Sequence, residues 1–307
     1  MAIEGQESED ALPADHVLGS LYREPFRVFR PPTQDVPFVF ASPHSGRTYP
    51  PSFLAQSRLS FDNLRRSEDA FVEELFVSVL DCGAPLIAAS FPRAYLDVNR
   101  APAELDAAMF EGPLPFAVDA ASPRVNAGLG VIPRIVREGA DIYRAKLATQ
   151  EASARLRRLH RPYHAALMRL VEETYARFRV TVIIDCHSMP SATAAPDIVL
   201  GDRHGISAAP MLTRAAEDAF RQLGFSVARN VPYAGGYTTQ LHGRPSRAHH
   251  ALQIEINRAL YLDEDNIRPG PRFAELKARL AAGLRALVSF DPAALIPLRG
   301  APSHAAE

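Results

Sequence analysis

Two stretches of the chain share one pattern, a short apolar run that stops at a histidine. Residues 180–188, VTVIIDCHS, place five β-branched or apolar side chains in the first six positions and end in Asp185, Cys186, His187 and Ser188. A run of that length with polar punctuation predicts a buried strand of an α/β sheet. Residues 36–42, VPFVFAS, predict a second such strand, followed by Pro43, His44, Ser45 and Gly46. Ligands of open α/β sheets gather at the carboxyl ends of strands. Both histidines therefore fall where chemistry is usually placed, and separate strands are one way in which a fold brings metal ligands together.

The rest of the pattern supplies the surrounding elements. Phe71, Val72, Leu75, Phe76, Val79 and Leu80 recur at helical spacing within 67–80, which predicts a helix with one buried face. Ser67 is its expected N-cap, Gly83 ends it, and Glu68 and Asp69 fall in a first turn where the helix dipole favours carboxylates. Residues 85–91 and 94–98 predict strands, with Arg93 between them and Asn99-Arg100 after the second. Residues 101–127 are rich in Pro, Gly and Ala without periodicity and predict a long loop, commonly a functional feature in a compact domain. A short strand is expected at 130–135, a helix over 141–160, and another over 163–178 with Pro162 in its first turn. Arg155, Arg157, Arg158 and Arg161 predict a solvated face. Beyond the central run, 197–200 and 225–229 predict short strands and 210–223 a helix ended by Gly224.

Two later segments matter for chemistry. Residues 233–245 are turn-rich, and Gly235-Gly236 admits backbone conformations that a Cβ forbids, but GxxxxGK[ST] is absent. Residues 250–257 alternate Leu252, Ile254 and Ile256 with Gln253, Glu255 and Asn257, a period-2 strand carrying three polar side chains on one face. A mid-strand carboxylate is disfavoured and costly to bury unpaired. Glu255 is thus either solvated on an edge strand or facing a site.

Composition narrows the partners. The 307 residues are 47% hydrophobic and 22% charged, ordinary for a soluble globular protein. No repeat, low-complexity tract or linker divides them, so one domain over 17–297 is expected, with tails at 1–16 and 298–307. Thirty-four basic and 35 acidic residues leave a net charge of -1, which gives no bulk electrostatic reason to expect nucleic acid or an anionic membrane. Two cysteines, Cys82 and Cys186, without CxxC spacing fit a reducing compartment. The acidic start MAIEGQESED lacks the features of a signal peptide, and no apolar run reaches membrane-spanning length, so a cytoplasmic location is expected. Oligomeric state is left open.

Two histidines and an acidic partner, with a further carboxylate off the metal, are the minimal equipment for zinc-assisted amide hydrolysis. An arginine nearby would select substrates with a free carboxylate by bidentate pairing, and Asn99-Arg100 is placed for this. The motifs SPHSG (42–46), SEDAFVEELF (67–76), DVNR (97–100), RPYHAAL (161–167), DCHS (185–188), AGGYTT (234–239) and QIEIN (253–257) resemble, in order, those of the N-formylglutamate amidohydrolase family, from about residue 37 to about 264. That family is similar to the zinc carboxypeptidases and aspartoacylases. The resemblance implies a three-layer αβα fold with a mixed central sheet, Zn2+ held by His44, Asp69 and His187, and Glu255 as general base. It also implies that Asn99 and Arg100 hold the substrate carboxylate, that Arg93 polarises the scissile carbonyl, and that Tyr237 and Thr238 of the glycine turn contact substrate. The implied reaction releases formate from an N-formyl acidic amino acid such as N-formyl-L-glutamate. A hydrolase of another N-acyl substrate and a metal-free binding protein are the alternatives. Two departures stand out. The position three residues after the first histidine, acidic in carboxypeptidase-type sites, is Arg47, so the acid comes from elsewhere, with Asp69 preferred to Glu68. Members most like the histidine-degradation enzyme often carry a histidine two places after that aspartate, where this chain has Phe71.

Overall fold

The two histidine-bearing runs form adjacent parallel strands at the middle of one sheet. A computed structural model describes residues 15–136, 139–192 and 195–297. Its main strands are β1 (Phe26–Phe29), β2 (Phe38–Ser42), β3 (Leu86–Ala89), β4 (Thr181–Met189), β5 (Ile198–Gly201), β6 (Val227–Arg229) and β7 (His249–Asn257), hydrogen-bonded in the order β1-β3-β2-β4-β7-β5-β6. β3, β2, β4 and β7 run parallel, while β1 and the β5–β6 pair run against them. The sheet is therefore mixed. β7 lies between β4 and β5, so it is not an edge strand.

Side-chain alternation divides the apolar residues between two cores. Phe38, Phe40, Ile184, Leu252 and Ile254 face helices Val72–Phe76, Pro210–Arg221 and Phe273–Val288. Val39, Ala41, Ile87 and Ile183 face the other way, against Tyr163, Leu167 and Leu170 of helix Arg161–Phe178. The result is three layers, with helices on both faces of the sheet. Each fully buried Leu, Ile or Phe contributes about 1.5–3 kcal/mol through its removal from water. On the second face the pattern changes toward the carboxyl ends. Ile183 gives way to Asp185 and His187 on β4, and Ala251 to Gln253 and Glu255 on β7.

Several expected elements differ. Helix Val72–Phe76 starts five residues after Ser67, behind Phe71 in the left-handed region (φ 63°), and continues as a 3-10 segment, Val77–Cys82. The guanidinium of Arg47 lies over the Phe71 ring at 4.7 Å, and Phe273 meets the same ring edge-on. Glu68 and Asp69 thus precede the helix, and its dipole does not explain them. Residues 94–98 form turns, not a strand: the N–H groups of Tyr95 and Leu96 donate to the Pro92 carbonyl. Their apolar side chains are buried in the second core, so burial without strand pairing explains the pattern. No strand forms at 130–135 either, where Val131 bonds only to the loop residues Asp97 and Glu104. The helix expected over 141–160 begins at Thr149 and passes through a π-helical turn, Leu156–His160, into helix Arg161–Phe178. Pro162 lacks an N–H for the carbonyl four residues back, which suits a widened turn there. Arg155 is not on a solvated face: it is fully buried over the Tyr95 ring and donates to Tyr143 Oη at 2.7 Å. The turn-rich stretch after residue 233 contains helix Tyr237–His242. At the start of the described chain, Asp15 caps helix His16–Arg23, so the expected tail overlaps an ordered cap; the remainder of that tail and the segment 298–307 lie outside the described residues. No helix among the described residues is long and apolar enough to cross a membrane.

The turn after β2 is held close to the neighbouring backbone. A Cβ on Gly46 would overlap the Phe91 carbonyl and lie 2.7 Å from the Ser90 carbonyl carbon. Gly46→Ala is expected to cost about 1–3 kcal/mol, the usual range for overpacking, because the atoms it meets are backbone. Equilibrium urea denaturation checks this, and an unchanged midpoint would show that the turn can yield.

Candidate active site

Three parallel strands bring the polar residues to one place. In the β4–β7 register His187 pairs with Glu255 and Asp185 with Gln253, so all four side chains share the second face of the sheet. β2 pairs with β4 up to Asp185, and two residues beyond the end of β2 the chain presents His44. The His44 and His187 rings stand 4.8 Å apart between centroids. Asp69 reaches them because its own N–H donates to the His44 carbonyl at 3.0 Å. His44, Asp69 and His187 are all buried, and one ligating atom from each lies within 4.8 Å of the others.

The histidines are held by a common device. His44 Nε2 is 2.7 Å from Asp97 Oδ1, and His187 Nε2 is 3.0 Å from Asp185 Oδ2. Both Nδ1 atoms turn to the same carboxylate oxygen, Asp69 Oδ2, at 3.3 Å from His44 and 2.9 Å from His187. With Nε2–H given to Asp97, His44 Nδ1 keeps a lone pair, and that buried atom has no hydrogen-bond partner. Histidine ligands of metals characteristically donate their other ring N–H to a carboxylate. The His-Asp-His donor set and the orphaned nitrogen together fit a divalent cation. Electrostatics point the same way. Burial opposes charge on every group here, yet Asp185, Asp69 and Glu255 hold His187 well above its ordinary range, while His187 and His44 hold Asp69 well below its own. The buried acids demand positive charge at the point where the two Nδ1 atoms meet.

Around this centre lies a cleft of about 520 Å³. Glu255 lines it and accepts a hydrogen bond from Gln253 Nε2 at 2.9 Å. Burial, reinforced by Asp69 and Asp185, outweighs His187 and Arg93 and raises its carboxyl to about 7. Arg93 lines the cleft with Nε tied to Asp97 Oδ2 at 2.9 Å. Arg100 is anchored by carbonyls, donating from Nε to Leu129 at 3.0 Å and from Nη1 to Asn99 at 2.8 Å.

Other expected site residues stand elsewhere or act differently. Asn99 borders the cleft, but its amide is engaged on both sides, Nδ2 standing 3.0 Å from both Asp185 Oδ2 and His187 Nε2 while Oδ1 accepts from the Thr238 N–H at 2.8 Å. These contacts tie β4 and the glycine turn together. A Cβ on Gly236 would lie 2.6 Å from Asn99 Cγ, which is why the turn needs glycine to close over it. Tyr237 and Thr238 do not line the cleft. The Tyr237 ring packs 5.2 Å from His164, Thr238 is buried, and the wall is formed by Tyr233, Ala234, Gly235 and Gly236. The turn leads directly into helix Tyr237–His242, which carries its first side chains behind the site. Glu68 points away, to Tyr49 Oη at 2.8 Å and Arg65 Nε at 3.1 Å. Arg47, at the position acidic in carboxypeptidases, pairs with Glu74 at 2.7 Å.

Sequence reasoning missed Asp97, Asp185 and Arg258. The first two open the motifs DVNR and DCHS, and Asp185 shares a strand face with His187 by simple alternation. Arg258 directly follows QIEIN, yet nothing in the sequence marks it as buried. Its Nη2 donates to Asp69 Oδ1 at 3.1 Å, Nη1 to the Arg66 carbonyl at 3.2 Å, and Nε to Ser188 Oγ at 3.2 Å.

Known proteins resemble this chain along most of its length. The family model described as N-formylglutamate amidohydrolase matches residues 36–262. The N-formylglutamate deformylase of Pseudomonas putida is 27% identical over 205 residues, 64% of this chain and 71% of that protein. The deformylase of Pseudomonas aeruginosa is 26% identical over 242 residues, 75% and 83% of the two chains. The crystal structure of N-formylglutamate amidohydrolase from Ralstonia eutropha JMP134 superposes with a TM-score of 0.81 at 37% identity, covering 86% of this chain and 97% of that one. The gene product Atu2144 of Agrobacterium tumefaciens shares the fold, with a TM-score of 0.64 at 19% identity over 89% and 97% of the chains.

The two adjacent acids can be separated by substitution. Asp69→Asn is expected to weaken divalent-metal binding at least tenfold, since even outer-shell partners of metal ligands are worth about that much. Glu68→Gln is expected to leave metal content intact and cost about 1–3 kcal/mol, by disrupting a buried charge-assisted pair. Chelator competition and urea denaturation read the two effects, and the reverse pattern would make Glu68 the ligand.

Proposed function

Because the chain belongs to the N-formylglutamate amidohydrolase family, we propose that it is a zinc-dependent amidohydrolase that splits N-formyl-L-glutamate into formate and glutamate. The observation that carries this reading is the meeting of His44 Nδ1, His187 Nδ1 and Asp69 Oδ2 in a cleft that Glu255 shares. His44, Asp69 and His187 would hold Zn2+, and the chemistry the ion supplies is Lewis-acid polarisation of the amide carbonyl and a lowered pKa for a neighbouring water.

The protein's own groups account for the remaining steps. Glu255, raised to about 7, changes protonation near neutral pH. That suits a general base that takes a proton from the attacking water and then returns it to the leaving amine nitrogen. Gln253 fixes one of its oxygens and so its orientation. Arg93, steadied through Nε by Asp97, faces the cleft and is the donor for negative charge developing on the carbonyl oxygen. Arg100, held by two backbone carbonyls, is the partner for the α-carboxylate of the substrate. Asp97 and Asp185 keep the two rings oriented. Water adds across the C–N bond, so formate and the free amine are the only products.

Two measurements test this. Formate release from N-formyl-L-glutamate is expected to disappear after chelation and return with Zn2+; full activity in metal-free protein would remove the metal from the reaction. Glu255→Gln is expected to keep its zinc while kcat falls about 10²- to 10⁴-fold, the usual range for general acid-base catalysis. A zinc-loaded variant within about threefold of wild type, far less than that contribution, would exclude the general-base role.

A further inference from the structure

The cleft carries more positive charge than one carboxylate requires. Five arginines line it, Arg66, Arg93, Arg100, Arg124 and Arg258, against the acids Asp69, Asp97 and Glu255. Burial holds the Arg100 guanidinium below its ordinary range, and repulsion from Arg93 and Arg124 adds to this against the pull of Asp97 and Glu104. Like charges gathered around a cleft are relieved by a bound anion. Arg93 is committed to Asp97, Arg258 to Asp69 and Arg100 to backbone carbonyls, while Arg66 belongs to the segment that leads into Asp69.

Arg124 is held differently. It sits in the short helical turn Pro123–Asn126 of the long loop, and its Nη1 comes only within 3.6 Å of Glu104 Oε1. That carboxylate is already occupied: Oε1 accepts the Ser122 hydroxyl at 2.8 Å and Oε2 the Ala101 N–H at 2.9 Å. Glu104, itself buried, thus orients Arg124 toward the cleft without giving it a close hydrogen bond. The segment that follows this loop supplies Leu129, Pro133 and Ile135 to the lining, an aliphatic surface on the cleft that Arg124 shares. A cation together with an aliphatic wall complements a carboxylate on a methylene stem.

We propose that Arg124 is a specificity-determining residue that binds the second, side-chain carboxylate of the substrate, so that N-acylated dicarboxylic amino acids are selected over their neutral counterparts. This rests on the deformylase reading above. N-formyl-L-glutamate and N-formyl-L-glutamine differ only in that second carboxylate, so the ratio of their kcat/KM values isolates the contact. Wild type is expected to favour the glutamate compound. Arg124→Gln is expected to lower the ratio roughly 10- to 100-fold, the range of a charge-assisted hydrogen bond, and Arg124→Lys to lower it less, because the charge remains while the planar fork is lost. Arg100→Lys is expected to depress both substrates together, since both carry the α-carboxylate. An unchanged ratio in Arg124→Gln, whether both rates hold or fall in parallel, would overturn the assignment. A wild type that hydrolyses both compounds equally would overturn it while leaving the deformylase reading in place. Hydrolysis of neither would overturn that reading and this inference with it.

Discussion

The site depends on two contacts that are buried out of reach of water, the hydrogen bond of His44 Nε2 with Asp97 and the ion pair of His187 Nε2 with Asp185. Each fixes a ring by its far nitrogen and leaves Nδ1 aimed at Asp69. A lone carboxylate in such a position would be costly to bury, and four of them, counting Glu255, would be far more so. They persist because they share compensation: two imidazoles, Arg93 and Arg258 lie among them, and every acid has a named partner. Removing one member leaves the others with uncompensated charge. The constellation therefore stands as a unit, and the rest of the fold is arranged to hold it at the end of a rigid parallel core.

That core also explains why Glu255 differs from its neighbours. Asp69, Asp97 and Glu255 are all buried, but only the first two accept from charged or protonated donors at short range. Glu255 is bonded to an uncharged amide. Burial wins there, which separates a carboxylate able to exchange its proton near neutrality from carboxylates that stay ionised.

Much of this was legible in the residues. The strands that build the site are short, apolar and sharply bounded, and alternation along β7 places Glu255 correctly. Histidines at strand ends were visible for the same reason. What failed was local: an apolar run such as 94–98 can be buried without pairing, and a helical spacing over 67–80 does not reveal that the left-handed turn at Phe71 delays the helix and frees Asp69. Arg155 shows the limit from the other side, since a cationic residue in a basic cluster reads as solvated until its aromatic and carbonyl partners are known. Arg258 is illegible because its partners Asp69 and Ser188 lie far from it in sequence. The glycine turn borders the cleft, but which of its side chains faces inward depends on where the following helix starts.

The order of strands has a consequence for how the protein matures. β2 pairs with β4 across a long intervening stretch, with Phe38 opposite Val182, and β4 then pairs with β7. Contacts so distant in sequence form slowly, because the loop must close before pairing rewards it. His44 is synthesised well before Glu255 and Arg258, which complete the surroundings of Asp69. Metal binding by such a centre would be coupled to completion of the sheet. A growing polypeptide that has passed His187 therefore carries all three donors before the residues that surround them, and the finished centre is a property of the whole domain.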